Sequence, residues 1–75
     1  MKELIEYVAK SLVDDPSQVT VTETTSGNSV VLELHVAPED MGRVIGRNGR
    51  VANALRLLLR VQSAKLGKRV TLEII

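Results

Sequence analysis

Residues 41–50 read Met-Gly-Arg-Val-Ile-Gly-Arg-Asn-Gly-Arg, so that three glycines and three arginines surround one apolar pair, Val44-Ile45. Glycine has no Cβ, which lets the backbone turn sharply and lets another molecule approach it closely. Arginine is permanently charged and presents a planar fork of donors suited to phosphate oxygens. Asn48 adds a side chain able to donate to phosphate or sugar oxygens. A bare corner between two helices needs one glycine, not two glycines flanked by Arg43, Arg47 and Arg50. Either the segment is only a helix–helix corner, or it is a place where an anion sits.

Spacing narrows the choice. A nucleotide-binding loop of the form G-x-x-x-x-G-K-[ST] fails, because Gly42 and Gly46 are one position too close and no Lys-Ser/Thr follows. The dinucleotide fingerprint G-x-G-x-x-G fails because residue 44 is Val. Ser and Thr are plentiful, but the lone His35 has no motif around it and reads as an ordinary residue of an open sheet face. Glu39-Asp40 reads as a pair of acids opening a helix, where they complement its dipole, rather than as metal ligands. With no Cys and one His, disulfides, thiolate metal sites and a zinc cluster are excluded. No catalytic residues, metal, cofactor or small-molecule substrate are expected, and the chain is not expected to be an enzyme.

The elements that must position the segment can be read from periodicity. Residues 2–13 place Leu4, Ile5, Val8, Ala9, Leu12 and Val13 on one helical face, and Asp14-Asp15-Pro16 ends the helix. Val19 to Thr25 alternates β-branched residues, Ser26-Gly27-Asn28 marks a turn, and Val30 to Ala37 alternates again, giving neighbouring strands with one apolar face. A short helix is expected over residues 39–45, opened by Pro38, and a longer one over 50–66, ended by Gly67. A last strand runs from Arg69 to Ile75. The order helix, strand, strand, helix, helix, strand predicts an α+β fold of two layers: three helices on one face of a three-stranded sheet. At 75 residues the chain is expected to form one domain, burying about 60% of its unfolded surface. It has no apolar run of the roughly 20 residues that span a membrane and no signal-peptide core, so a soluble cytoplasmic protein is expected.

Charge is divided along the chain. Residues 1–40 hold two bases and eight acids, a net −6; residues 41–75 hold eight bases and one acid, a net +7. Such a layout points to an anionic partner for the second half, unless the two halves simply pair internally. On the long helix, Val51, Ala54, Leu55, Leu58 and Leu59 are expected to form a broad core face, and Asn53, Arg56, Arg60 and Ser63 a polar stripe. Leu57, Val61 and Ala64 leave the helix apolar over most of its circumference. Either the first helix covers this excess or a partner does.

Single-stranded nucleic acid fits the glycine-arginine segment best. The corner lets a sugar-phosphate chain reach the backbone, and the helix that follows presents free N–H groups and a partial positive charge. Tyr7 is the single aromatic residue and lies in the acidic half, which excludes aromatic stacking platforms.

Val44-Ile45-Gly46-Arg47-Asn48-Gly49 resembles the apolar-Ile-Gly-x-x-Gly signature of the KH (K-homology) domain, and the element order resembles its bacterial type II form. The resemblance spans the chain: Gly42 to Ala52, followed by Ala54-Leu55-Arg56, is similar to the KhpA family of small bacterial single-KH proteins. Ala52 stands where many KH domains carry Ile, and the smaller residue suits this subgroup. The resemblance implies the αββααβ type II KH fold and an RNA-binding function, as an RNA chaperone or post-transcriptional regulator. A GxxG loop, Gly46–Gly49, would contact the backbone of about four nucleotides of single-stranded RNA. The RNA-binding residues implied are Arg43, Val44, Ile45, Gly46, Arg47, Asn48, Gly49, Arg50, Asn53 and Arg56. The bases would lie between the helices of residues 44–52 and the strand Val30–Ala37, with Ile45, Ala52 and Val36 as an apolar floor. Phosphate contacts and the lack of aromatics imply low sequence selectivity. The family also implies self-association or a heterodimer with a larger KH-containing protein of the KhpB/Jag kind, with Leu57, Val61 and Ala64 as the expected contact. The alternative is a protein-interaction or scaffold module that keeps the fold and turns its basic half toward a protein.

Overall fold

The alternating runs pair as one sheet, with the fourth and fifth elements, both helices, folded back across it. A computed structural model describes residues 2–75, in the order α1 (Lys2–Leu12), β1 (Thr20–Ser26), β2 (Ser29–His35), α2 (Met41–Ile45), α3 (Arg50–Leu66) and β3 (Arg69–Ile74). Short 3-10 turns at Pro16–Gln18, Pro38–Asp40 and Arg47–Gly49 join them. The short helix expected from residue 39 is therefore α-helical only from Met41, its first turn being the tighter form that follows Pro38.

β1 and β2 form an antiparallel hairpin turned at Gly27 and Asn28, with Val21 opposite Leu34 and Thr25 opposite Val30. β3 lies on the other side of β2 and runs parallel to it, Val70 beside Val30 and Leu72 beside Leu32. Parallel neighbours cannot be joined by a tight turn, and α2 and α3 supply the crossover. β2 is thus the central strand, and β1 and β3 are the edges.

Residues opposite one another across a ladder share a face. Val21, Val30, Leu32, Leu34 and Leu72 point to the helices and are buried. Thr20, Thr22, Thr24, His35, Thr71 and Glu73 point the other way and are exposed. The sheet is covered on one side only, as its alternation predicted, and the architecture is the expected αββααβ two-layer arrangement.

α1 buries Ile5 and Ala9 and packs on β1; α3 packs on β3 and α2. The inward line of α3 is Ala52, Leu55 and Leu59. This corrects the expected core face: Ala54 is exposed and Leu58 is 47% exposed. The helix sits over an edge strand, so only a narrow stripe meets the sheet, and residues some 100° to one side of Leu55 fall outside it. α1 does not cover the excess either. Among the described residues it has at most marginal contact with α3, and Leu57, Leu58 and Val61 remain about half exposed. No described helix is long and apolar enough to cross a membrane.

Candidate nucleic-acid interface

The corner between α2 and α3 is built from three residues with positive φ. Gly46 ends α2 at φ 78°, ψ 171°; Asn48 follows at φ 56°, ψ 26°; Gly49 sits at φ 75°, ψ 15° as the residue before α3. The Gly46 conformation is one that only glycine adopts readily. A Cβ at Gly46 would also lie 2.6 Å from Val51 Cγ2, so the loop is pressed onto the first turn of α3 as well as turned. The Gly46 N–H donates to Gly42 O at 2.9 Å and the Gly49 N–H to Gly46 O at 3.1 Å, which closes the corner from within. Gly49 has no side chain with which to cap α3, and no acid lies in the first turn of that helix. The positive end of a 17-residue helix therefore carries no compensating charge of its own.

Arg47, Asn48, Arg50, Asn53 and Arg56 are all exposed, the first two on the loop and the rest along α3. Asn53 lies beside the loop, its Nδ2 3.7 Å from the position of a Cβ on Gly49. Ile45 is 37% exposed and Val44 fully buried. Val44, expected among the RNA-binding residues, is buried and anchors the loop in the core instead of lining a groove. Arg43 is already engaged: its Nη2 bonds Asp14 Oδ2 at 3.0 Å, and its Nε lies 3.6 Å from Asp40 Oδ1.

The groove differs most from expectation. The strand Val30–Ala37 is not the wall of the open cleft: β2 is paired on both sides, and neither Val36 nor Ala52 lines it. The open cleft lies instead between α3 and the edge strand β3. It encloses about 310 Å³ and is lined by Arg56, Leu59, Arg60 and Ser63 from the helix and by Arg69 to Leu72 from the strand. In a parallel strand, successive residues turn their backbone groups to opposite sides. Arg69 N–H donates to Asn28 O and Ile75 N–H to Leu34 O, both toward β2. Val70, Leu72 and Ile74 therefore offer their N–H and C=O groups to the free edge, where Arg56 Nη2 reaches Leu72 O at a long 3.5 Å. The cleft has an apolar base at Leu59 and Leu72, the backbone of a free strand edge along one side, and Arg56, Arg60 and Arg69 among its lining residues.

Of the residues lining this cleft, sequence reasoning selected Arg56 alone; the polar ones it missed are Arg60, Ser63, Arg69 and Thr71. Arg60 and Ser63 already shared the polar stripe of the helix with Asn53 and Arg56, which was a usable signal. Arg69 and Thr71 had none, because their place depends on which edge of the sheet β3 takes. Among the described residues, no group of three or more His, Asp or Glu is placed to hold a metal ion.

A family model described as KhpA/KhpB, KH domain matches residues 2–74. The chain is 55% identical to the RNA-binding protein KhpA of Clostridium acetobutylicum over 75 residues, which is the whole of both chains. It is 52% identical to the RNA-binding protein KhpA of Clostridium perfringens, again over the whole of both, and 48% identical to that of Aquifex aeolicus, over all of this chain and 95% of the other. No solved structure matches. With the motif, the element order and these relatives in agreement over its length, the chain belongs to the KhpA/KhpB family of KH domains.

Proposed function

We propose that this protein binds single-stranded RNA in the cytoplasm, gripping the sugar-phosphate backbone at Gly46–Gly49 and laying the bases along α3 into the α3–β3 cleft. The observation that carries the reading is the continuity of loop and cleft. A left-handed glycine corner at an uncompensated helix N-terminus leads, along Asn53, Arg56 and Arg60, into a cleft edged by free backbone groups. Arg47 and Arg50 supply charge at the phosphates, and Asn48 and Asn53 supply donors. Arg56, Arg60 and Arg69 flank the bases. The names of the relatives, all RNA-binding proteins, support the same ligand. Phosphate contacts carry little sequence information, so selectivity is low and suits an RNA chaperone or post-transcriptional regulator with no catalytic step of its own.

The test is fluorescence anisotropy on a labelled single-stranded RNA of about ten nucleotides. The double variant Arg47→Asp/Asn48→Asp places two carboxylates where phosphates should sit, and its affinity should fall by at least tenfold at matched salt. Equal affinity in a folded double variant would sink the loop as the RNA site.

A second reading is favoured by the apolar strip of α3. Ala54, Leu57, Leu58 and Val61 are exposed on one flank, and Ala64 continues it. Apolar area of this kind on a small domain marks a protein contact. It fits a second copy of the chain, or a larger KH-containing partner, docking beside rather than over the RNA cleft. A scaffold role through this strip is compatible with RNA binding and does not replace it.

A further inference from the structure

We propose that Asp40 and Arg43 form a clamp that fixes the direction of α2 and with it the grip of the Gly46–Gly49 loop, so that Arg43 is a positioning residue and not a phosphate ligand. The proposal rests on the RNA reading above. Asp40 is the buried charged residue of the described chain, 2% exposed. An ionised carboxylate is costly to bury unless its oxygens are fully engaged. Here they are: Oδ1 accepts the Asp14 N–H at 3.1 Å and faces Arg43 Nε at 3.6 Å, and Oδ2 accepts the Asp15 N–H at 3.1 Å. Arg43 Nη2 then reaches back to Asp14 Oδ2 at 3.0 Å. Three pieces of chain meet at this point: the segment leaving α1, the turn entering α2, and α2 itself.

The clamp matters because of what α2 is. It has five residues, too few to hold a direction by its own hydrogen bonds, and its last residue adjoins Gly46. Val44 pins it from the core side, and the Asp40–Arg43 contacts pin it from the side of Asp14 and Asp15. A small rotation of so short a helix would carry the loop with it, and polar recognition of this kind tolerates displacements of only about 0.5 Å. Charge points the same way. Asp14, Asp40 and Arg43 together carry −1, so the guanidinium is screened from a phosphate by two nearer carboxylates.

The test compares Asp40→Asn, Arg43→Gln and Arg47→Gln. Without RNA, amide hydrogen exchange at residues 46–49 should quicken by about fivefold in the first two, the loss expected for one ordinary hydrogen bond. It should stay at the wild-type rate in Arg47→Gln. With RNA, the first two should bind about fivefold more weakly, yet keep the wild-type slope of log Kd against log salt, because no phosphate contact has been removed. Arg47→Gln should lower that slope by roughly 0.7. A reduced slope in Arg43→Gln would make it a phosphate ligand and overturn the proposal, as would unchanged loop exchange in both clamp variants. Arg43 is exposed enough for its variant to fold even if Asp40→Asn does not. Because the exchange arm uses no RNA, failure of the clamp is separable from failure of RNA binding, which would appear as an unmoved slope in Arg47→Gln.

Discussion

At the residue scale the site depends on one position more than any other. Gly46 combines a conformation closed to side chains with a contact that leaves no room for one. Gly46→Ala should therefore act on stability and RNA affinity together. The expected loss is about 2 kcal/mol from backbone strain and the Val51 clash, read as a lower urea midpoint at unchanged m. Gly49→Ala is a useful contrast. Its φ of 75° also favours glycine, but the nearest atom to an added Cβ is the flexible Asn53 amide at 3.7 Å. It should cost less, about 1 kcal/mol, in the same experiment. The sequence showed which residues form the corner. It could not show that Gly46 is held by contact and Gly49 by dihedral angle alone, since that difference lies in how Val51 packs back on the loop.

At the element scale α3 does three things on three parts of its surface. Ala52, Leu55 and Leu59 meet the core, Arg56 and Arg60 line the cleft, and Ala54, Leu57, Leu58 and Val61 face outward. Helical spacing alone separates the arginine flank from the apolar strip, but it set the core face about one position away from where it lies. The reason is physical: the burial direction of a helix is fixed by what it packs on, and α3 packs on an edge strand, not on the middle of a sheet. The same fact makes β3 part of the site. Arg69→Gln should weaken RNA binding and lower the salt slope by roughly 0.7 if its guanidinium contacts one phosphate, with thermal stability unchanged because the side chain is exposed. Anisotropy titrations at several salt concentrations measure both quantities.

At the scale of the whole molecule the charge asymmetry acquires a geometry. The bases of residues 41–75 gather on the loop, α3 and the start of β3, while α1 and the loop after it carry much of the acid. Among the described residues Arg43 pairs across the halves, with Asp14 and Asp40, so internal pairing accounts for one arginine and leaves Arg47, Arg50, Arg56, Arg60 and Arg69 for a ligand. The apolar strip and the cleft lie on different flanks of α3, Val61 and Arg56 being roughly 140° apart around its axis. Association through the strip and RNA binding in the cleft should then be independent. Val61→Asp should reduce the mass seen by light scattering from dimer to monomer while the Kd for a short RNA stays within about twofold of wild type. An unchanged mass alongside a dimeric wild type would place the contact elsewhere.

The sequence by itself determined the local matters: the element order, the one-sided sheet, the corner at Gly46–Gly49, the polar stripe of α3 and the opposite charge of the two halves. Each follows from periodicity, backbone preference or composition, which act between neighbours in the chain. Only the tertiary structure decided which strand borders the cleft, that Val44 and Val36 are buried and that Arg43 is tied to two carboxylates. These depend on β3 joining β2 in parallel at the sheet edge and on residues 14 and 40 coming together from distant parts of the chain. Such contacts are long-range choices of packing, and neither spacing nor residue type encodes them locally.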